Sequence, residues 1–508
     1  MFNRNSKLKN VLMASAASVG YQLIKIALTF VYRTIFLMVF SKEYLGINGL
    51  FTNILQILSL AELGVGTAIV YRMYKPFVQE DVEQIAALLQ FYKIVYRIIA
   101  LVVVVLSIGM YQLLPVLVKM EEIPPDVNVT VVYFLFVAQS VVSYFAAYKQ
   151  SVITADQRGY MVSLYQMVTE LTVNLIRIAL VFISRNYVVV LAGGIVVTAA
   201  INLGFGAYIS SQYREFFQVR AKLDRQSMKQ ILSDTGSLLC HKVGSVAVSA
   251  TGNMVLAKFV SLVSVGLYSN YAMITNAVMG MMSSAAGSIN SIVGNYATVN
   301  SKEETYRLYL YCVHGCFWLV SCLTICLCNL FNVFVEAWLD ASYLFDQTVV
   351  LVICIQFFVM CSRLVNNIFI NGCGLFALDR VRPLIEAAIN LMVSIALVHH
   401  YGIVGVFVGG VVSGVLTYYW REPYLLLYRY FGKNCKDYIP IVLLWIVITI
   451  MSGVAFGKIT RFLPAGWWGF FLRGIVTFVG TNLLYALLMC RTKFFRYFVG
   501  VMKAKIKR

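Results

Sequence analysis

The chain is poor in charged residues, which make up only 12% of its 508 positions, while hydrophobic residues make up 60%. A soluble domain carries about 25% charged residues, so the composition excludes an ordinary water-soluble fold. Apolar runs at 98–110, 188–206 and 441–455 are too long and too closely spaced for a surface that faces water. We therefore predict an integral membrane protein whose excess apolar side chains face lipid.

Cysteine and histidine motifs that bind metals are also lacking. The eleven cysteines include no CxxC pair and lie mostly in apolar runs, as Cys322, Cys326 and Cys328 do, and there are only four histidines. A structural zinc site needs paired ligands at fixed spacing, and a disulfide framework needs cysteines in outward loops. The sequence thus predicts no metal site and no cofactor.

The fold class that follows is all-α, with about 14 transmembrane helices. Each span needs about 20 residues to cross the hydrocarbon layer, which leaves no room for a sizeable soluble domain. We place the spans near 12–40, 47–72, 90–113, 128–150, 161–184, 188–211, 234–258, 268–296, 307–331, 346–371, 383–399, 403–427, 439–457 and 468–490.

The net charge of +19 is spread over alternate loops. That distribution orients a membrane protein and does not form a nucleic-acid-binding face, because basic loops remain in the cytoplasm. We predict that both termini are cytoplasmic and that no nucleic acid binds. The basic residues that carry this prediction are Arg72, Lys75, Arg214, Arg220, Lys222, Arg225, Lys229, Arg380, Arg382, Arg429, Lys433 and Lys436, with those of both termini.

An internal repeat organises the chain. The segment LGINGLF matches VGLYSNY, which pairs Gly46 with Gly266, and LAGGIVV matches FVGGVVS, which pairs Gly194 with Gly410. Two segments with nearly equal offsets indicate two parallel six-helix lobes, a plan found in some secondary transporters. The predicted divisions are an N-lobe (1–211), a basic cytoplasmic linker (212–233), a C-lobe (234–427), two further helices (428–490) and a basic cytoplasmic tail (491–508).

Polar stripes inside the spans supply the candidate site residues. Charged groups in a bilayer are costly and usually face a bundle interior or a wet cavity. Cations outnumber carboxylates in these stripes, and guanidinium groups suit phosphate oxygens, so we expect an anion-binding cavity. The candidate substrate-binding residues are Gln22, Lys25, Arg33, Arg177, Lys242, Arg363 and Asn367, and the candidates for ion coupling are Glu62, Glu170 and Glu386.

A purely structural interpretation stays open for these charges. The three glutamates can pair with Arg177, Arg33 or Lys25 and only fix the bundle. Lys93, Arg97 and Lys149 lie near the cytoplasmic end of their spans, where long side chains extend toward the interface.

Several segments carry a resemblance to a known family. The stretch SKEYLGINGLFTNILQILSLAELGVGTAIVYRMYKPF, the loop ITADQRGYM, and the segments NLIRIALV and GGVVSG resemble the Wzx-type polysaccharide and O-antigen flippases. These form part of the polysaccharide transport branch of the multidrug/oligosaccharidyl-lipid/polysaccharide exporter (MOP) superfamily. The resemblance covers essentially the whole chain and is most specific around LGINGLF and AELGVG, without a short catalytic signature.

The resemblance implies a MATE-like fold and an oligosaccharide substrate on undecaprenyl diphosphate, moved from the cytoplasmic to the outer leaflet of the bacterial plasma membrane by alternating access. Coupling to a H⁺ or Na⁺ gradient through Glu62, Glu170 or Glu386 is a hypothesis that accompanies this function, and membrane lipids are expected neighbours. A polysaccharide polymerase and the export machinery are the expected protein partners, and we expect a monomer.

Two other functions compete with this interpretation. A multidrug or cation antiporter of the same fold is the alternative, although such exporters tend to use acidic cavities. A membrane glycosyltransferase, polymerase or ligase needs a sizeable loop with clustered acid, base or metal ligands, and the short connections here argue against an enzyme.

Overall fold

A computed structural model describes residues 4–59, 65–117, 119–156, 158–379 and 381–506, although not every side chain within these ranges, and over them the chain is helical with no strand. The helices are α1 (Arg4–Val39), α2 (Lys42–Leu58), α3 (Val65–Gln79), α4 (Val82–Leu117), α5 (Val129–Ala155), α6 (Gly159–Ser184), α7 (Tyr187–Gln212), α8 (Arg214–Gln218), α9 (Arg225–Phe259), α10 (Leu262–Val299), α11 (Lys302–Trp338), α12 (Gln347–Ser362), α13 (Leu364–Gly372), α14 (Arg382–Tyr401), α15 (Ile403–Leu416), α16 (Tyr418–Tyr424), α17 (Tyr438–Thr460), α18 (Gly466–Met489) and α19 (Lys493–Ile506).

Wherever the structure describes them, the fourteen predicted spans coincide with helix. Eleven segments of the described chain are long and apolar enough to cross a membrane, and α2, α3, α9 and α10 account for the other three predicted spans. The predicted span 47–72 corresponds to two helices, α2 and α3, on either side of residues that the structure does not describe. The all-α membrane fold predicted from composition is confirmed.

Helix starts follow from local capping chemistry. Ser301 and Glu304 form a reciprocal capping box at the start of α11, which satisfies two backbone N–H groups that otherwise lack partners. Asn186 accepts hydrogen bonds from two backbone N–H groups at the start of α7. Asp224 caps α9 in the same way, and its hydrogen bonds with Ser227 lower the pKa of the Asp224 carboxyl.

The chain forms two compact units, residues 1–266 and 267–508. In the first unit α1 packs along α6, α5 along α7, and α2 along α9; in the second, α14 packs along α15, and α11 packs against α17 and α18. The predicted divisions at 211, 233, 427 and 490 stay a prediction.

Gly46 and Gly266, paired by the repeat, meet within the first unit. A Cβ on Gly266 would lie 3.0 Å from the backbone nitrogen of Gly46 and 2.4 Å from the carbonyl oxygen of Lys42. A Cβ on Gly46 would lie 2.2 Å from the carbonyl oxygen of Leu262. Because backbone faces backbone here, only glycine fits at both positions, and the helix starts of α2 and α10 approach more closely than side chains allow.

The second pair of repeat-related glycines, Gly194 and Gly410, each lies against a long polar side chain. A Cβ on Gly194 of α7 would lie 2.2 Å from Nε of Arg177, and a Cβ on Gly410 of α15 would lie 2.2 Å from Nε2 of Gln356. Each glycine therefore makes room for a long polar side chain from a neighbouring helix. The side chain is a guanidinium from α6 at Gly194 and a carboxamide from α12 at Gly410, so the repeat conserves the glycine but not the helix that packs against it.

The tail contains a helix that the sequence analysis did not predict. Phe494 at the start of α19 is buried and stacks on His314 of α11 with ring centroids 5.1 Å apart, and Tyr497 stacks on Tyr311 at 4.7 Å. The segment predicted only as a basic tail is thus helical over residues 493–506 and packs on α11 through its aromatic side chains.

Candidate functional site

A polar cleft of about 320 Å³ lies within the first unit, between α1, α5, α6 and α7. Ala147 is the one lining residue without a polar side chain; the others are Tyr21, Ser143, Gln150, Tyr165, Gln166, Thr169, Glu170, Thr198 and Asn202. Hydroxyl and amide groups of this kind both donate and accept hydrogen bonds. The cleft therefore offers partners to a ligand rich in hydroxyl groups, and Glu170 is the one ionisable carboxylate among its lining residues.

Aromatic rings shape one wall of the cleft. Tyr165 stacks on Phe205 with centroids 4.1 Å apart, and its hydroxyl donates to the side-chain oxygen of Asn202. The Asn202 amide in turn donates to the carbonyl of Val142, 3.4 Å away. These contacts fix the ring and the amide, so the wall is pre-organised.

Lys25 places a positive charge next to a lining residue of the cleft. Its Nζ lies 5.7 Å from the ring centroid of Tyr21, which lines the cleft one helical turn away on α1. The Lys25 side chain is exposed, so the ammonium is available to a ligand, and the tyrosine face favours a cation in this position.

Glu170 is held by its own helix. The Asn174 amide donates to the Glu170 carbonyl at 2.8 Å and to its carboxylate oxygen Oε2 at 3.2 Å. The carboxylate is therefore oriented by a neutral amide one turn further along α6.

Arg177 and Arg33 lie further along the same helices. The guanidinium of Arg177 fits against Gly194, and its buried Nε has no hydrogen-bond partner among the residues that the structure describes. Arg177 and Arg33 both act electrostatically on Tyr32, so these two predicted residues lie near one tyrosine of α1.

A buried charge cluster lies within the second unit and includes two of the predicted residues. Arg363, at the junction of α12 and α13, forms an ion pair with Glu422 of α16, whose side chain is 0% exposed. The guanidinium of Arg363 stacks over the Tyr418 ring at 4.2 Å and donates to the side-chain oxygen of Asn367 at 3.3 Å.

Arg382 completes this cluster. Its guanidinium binds Asp379 at 2.7 Å, pairs with Glu386, and lies 3.7 Å from Glu422. Arg421 approaches Asp379 at 3.4 Å. We call these six residues the Arg–carboxylate cluster: Arg363, Asp379, Arg382, Glu386, Arg421 and Glu422.

The cluster has three cations and three carboxylates and is formally neutral. Among the sequence alternatives, Arg177, Arg33 and Lys25 were the suggested partners of Glu386, and this was wrong, because Arg382 lies one turn before Glu386 on α14 and takes that role. The spacing Asp379–Arg382–Glu386 is the signal that could have revealed it, since residues three and four apart face each other on a helix. For Glu422 the sequence offers no such spacing, because its partner Arg363 is 59 residues away.

The structure thus distributes the predicted residues over three places. Glu170 lines the cleft, and Lys25 and Gln22 lie near its lining residue Tyr21 on α1. Arg33 and Arg177 lie near Tyr32, while Arg363 and Glu386 belong to the cluster and Asn367 accepts a hydrogen bond from Arg363. The side chain of Lys242, and Glu62 altogether, lie outside the described residues. In the described part of the chain no group of three or more His, Cys, Asp or Glu side chains could hold a metal ion.

Comparison with known proteins identifies solved structures that share the fold of this chain. No family model and no curated protein matches the sequence. Among solved structures, the lipid II flippase MurJ in an inward closed conformation aligns with a TM-score of 0.67 and 13% identity over 94% of this chain and 100% of MurJ.

Multidrug transporters share the same architecture over less of the chain. An inward-facing MATE family transporter of the MOP superfamily aligns with a TM-score of 0.58 and 15% identity, over 80% of this chain and 97% of its own. A variant of the Vibrio cholerae MATE transporter VcmN aligns with a TM-score of 0.55 and 16% identity, over 81% and 94%. The chain is therefore a multi-pass membrane protein with the fold shared by MurJ and the MATE transporters of the MOP superfamily.

Proposed function

We propose that the chain is a flippase that moves an oligosaccharide linked to undecaprenyl diphosphate from the cytoplasmic to the outer leaflet, for export of a surface polysaccharide. The single observation that carries the proposal is the exposed ammonium of Lys25 beside the hydroxyl- and amide-lined cleft of the first unit. A sugar chain needs many neutral hydrogen-bond partners, and its diphosphate needs a cation.

The fold supports the same conclusion. The alignment with a lipid II flippase covers 94% of this chain, whereas the MATE alignments cover 80% and 81%. Alternating access moves a lipid-linked headgroup without chemical change, so we propose a transporter and not an enzyme. The membrane is the bacterial cytoplasmic membrane, with both termini on the cytoplasmic side.

Ion coupling is assigned to Glu170 within this proposal. It is the ionisable carboxylate of the cleft, so protonation or Na⁺ binding there changes the charge that the substrate meets. Glu386 is paired with Arg382 and is the weaker candidate, while Glu62 remains a prediction from sequence.

The test is transport by the purified chain in liposomes, with a fluorescent polyprenyl-diphosphate oligosaccharide in the inner leaflet. Lys25→Gln should lower the initial rate at least tenfold, since a hydrogen bond from a charged group contributes about 1.5–3 kcal/mol. Arg461→Gln removes an exposed cation at the end of α17 and should leave the rate unchanged. Equal rates for the Lys25 variant and the wild type would contradict the assignment.

Glu170 favours one alternative, a cation or multidrug antiporter, because a carboxylate in the cleft can also bind a cationic compound. Cells that express the chain would then extrude cationic dyes, and Glu170→Gln would abolish extrusion. Dye efflux without glycolipid transport would replace the flippase proposal with the antiporter.

A further inference from the structure

A basic pocket lies in the first unit, apart from the polar cleft. It has a volume of about 80 Å³ and is lined by Lys93, Tyr96 and Arg97 of α4 and by Tyr144, Phe145 and Tyr148 of α5. One water needs about 10–15 Å³, so the pocket has room for a larger polar group. Lys93 and Arg97 are four residues apart and therefore point from the same face of α4.

A third cation lies near the first two. The charge of Lys93 acts on Lys149, and the charge of Arg97 acts on Tyr148, so these groups lie near one another. The Lys149 ammonium donates to the carbonyl of Gly206, 3.0 Å away. None of these three cations forms an ion pair within the described residues, and no carboxylate lines the pocket. Within the described part of the chain no carboxylate offsets the repulsion between Lys93 and Arg97, so an anion from outside the protein can do so.

The position of the basic pocket along α4 indicates its depth in the membrane. The apolar run of α4 begins at Ile98, directly after Arg97. Three apolar side chains lie beside the two cations on the surface of α4 and are more than half exposed: Ile94 (56%), Ile98 (55%) and Leu101 (63%). Across the pocket, Phe145 is 57% exposed. Exposed apolar side chains in a membrane span face acyl chains, so the pocket opens toward lipid where the headgroups begin.

We infer that Lys93, Arg97 and Tyr148 bind the phosphate of a membrane lipid whose acyl chains lie along Ile94, Ile98 and Leu101. The guanidinium and the ammonium neutralise the phosphate, and the tyrosine hydroxyl adds a hydrogen-bond donor. The ligand class is an anionic lipid with a phosphate or diphosphate headgroup. The inference does not depend on the proposed function, because it concerns lipid retention and not transport.

The experiment uses the full chain purified in a neutral detergent. Phosphatidylglycerol is titrated, and bound lipid is counted by native mass spectrometry, with inorganic phosphate in a parallel series. The double variant Lys93→Gln, Arg97→Gln should bind the tightest phosphatidylglycerol about 25-fold more weakly, from about fivefold for each cation. The matched control is Lys458→Gln, Arg461→Gln, which removes two exposed cations at the end of α17.

Arg97→Lys keeps the charge and should retain most of the binding, which separates loss of charge from loss of folding. Phosphatidylglycerol retention that falls equally in the control and in the double variant would overturn the inference. Displacement of the lipid by millimolar inorganic phosphate would also overturn it, because the site would then recognise free phosphate and not a lipid.

Discussion

Removal of the Glu422 carboxylate tests the Arg–carboxylate cluster most directly. Glu422 is fully buried, pairs with Arg363 and lies 3.7 Å from Arg382. At that distance two unit charges interact by about 4.5 kcal/mol with an effective dielectric constant of about 20. Asp379 and Glu386 also pair with Arg382, so they partly compensate that arginine when the Glu422 carboxylate is removed. Neither of them takes over the ion pair between Glu422 and Arg363.

We therefore expect Glu422→Ala to destabilise the chain by about 3–5 kcal/mol, the range for removal of one partner from a buried pair. For a unit of this size that corresponds to a loss of roughly 6–20 °C in the melting midpoint. Thermal unfolding in detergent, followed by fluorescence-detected size exclusion, measures the shift.

The double variant Arg363→Met, Glu422→Met sharpens this prediction. Replacement of a buried ion pair by apolar side chains of similar volume is often neutral or stabilising, so the double variant should recover much of the midpoint lost by Glu422→Ala. If Glu422→Ala melted within 2 °C of the wild type, the carboxylate would contribute no net attraction and the reasoning would be refuted.

Three further predictions concern glycines and a helix cap. Gly46→Ala should cost about 1–3 kcal/mol through overpacking and should slow glycolipid transport, while Gly109→Ala, whose Cβ meets no atom within 4 Å inside α4, should not lower thermal stability. Gly194→Ala should displace the Arg177 guanidinium, which a drop in melting midpoint relative to Gly109→Ala would report. Ser301→Ala should remove about 1 kcal/mol of helix stability, and a midpoint equal to the wild type would contradict the capping role.

The sequence predicted the helices well because long apolar runs leave a membrane-spanning chain few other conformations. It predicted the cleft only in part. Glu170 was identified by its polar stripe, but Thr198 and Asn202 of α7 sit in a strongly apolar span, where single neutral polar residues give no periodic signal.

The partners of buried charges were harder to predict than their positions. Arg363 was identified as a charge inside a span, yet its partner Glu422 lies 59 residues away, and sequence spacing carries no information about such a contact. The helix α19 was missed for a similar reason, because its stability depends on aromatic packing against α11 that only the tertiary structure shows.

The two repeat-related glycines of α7 and α15 have an electrostatic consequence. Gly194 receives the permanently charged guanidinium of Arg177, whereas Gly410 receives the neutral Gln356 amide. The two contacts therefore differ in charge and also in the helix that supplies the side chain, which is α6 for Gly194 and α12 for Gly410. Arg177→Gln would place at Gly194 the same neutral carboxamide that Gly410 already receives, so a comparison with the wild type would show what the charge contributes at that contact.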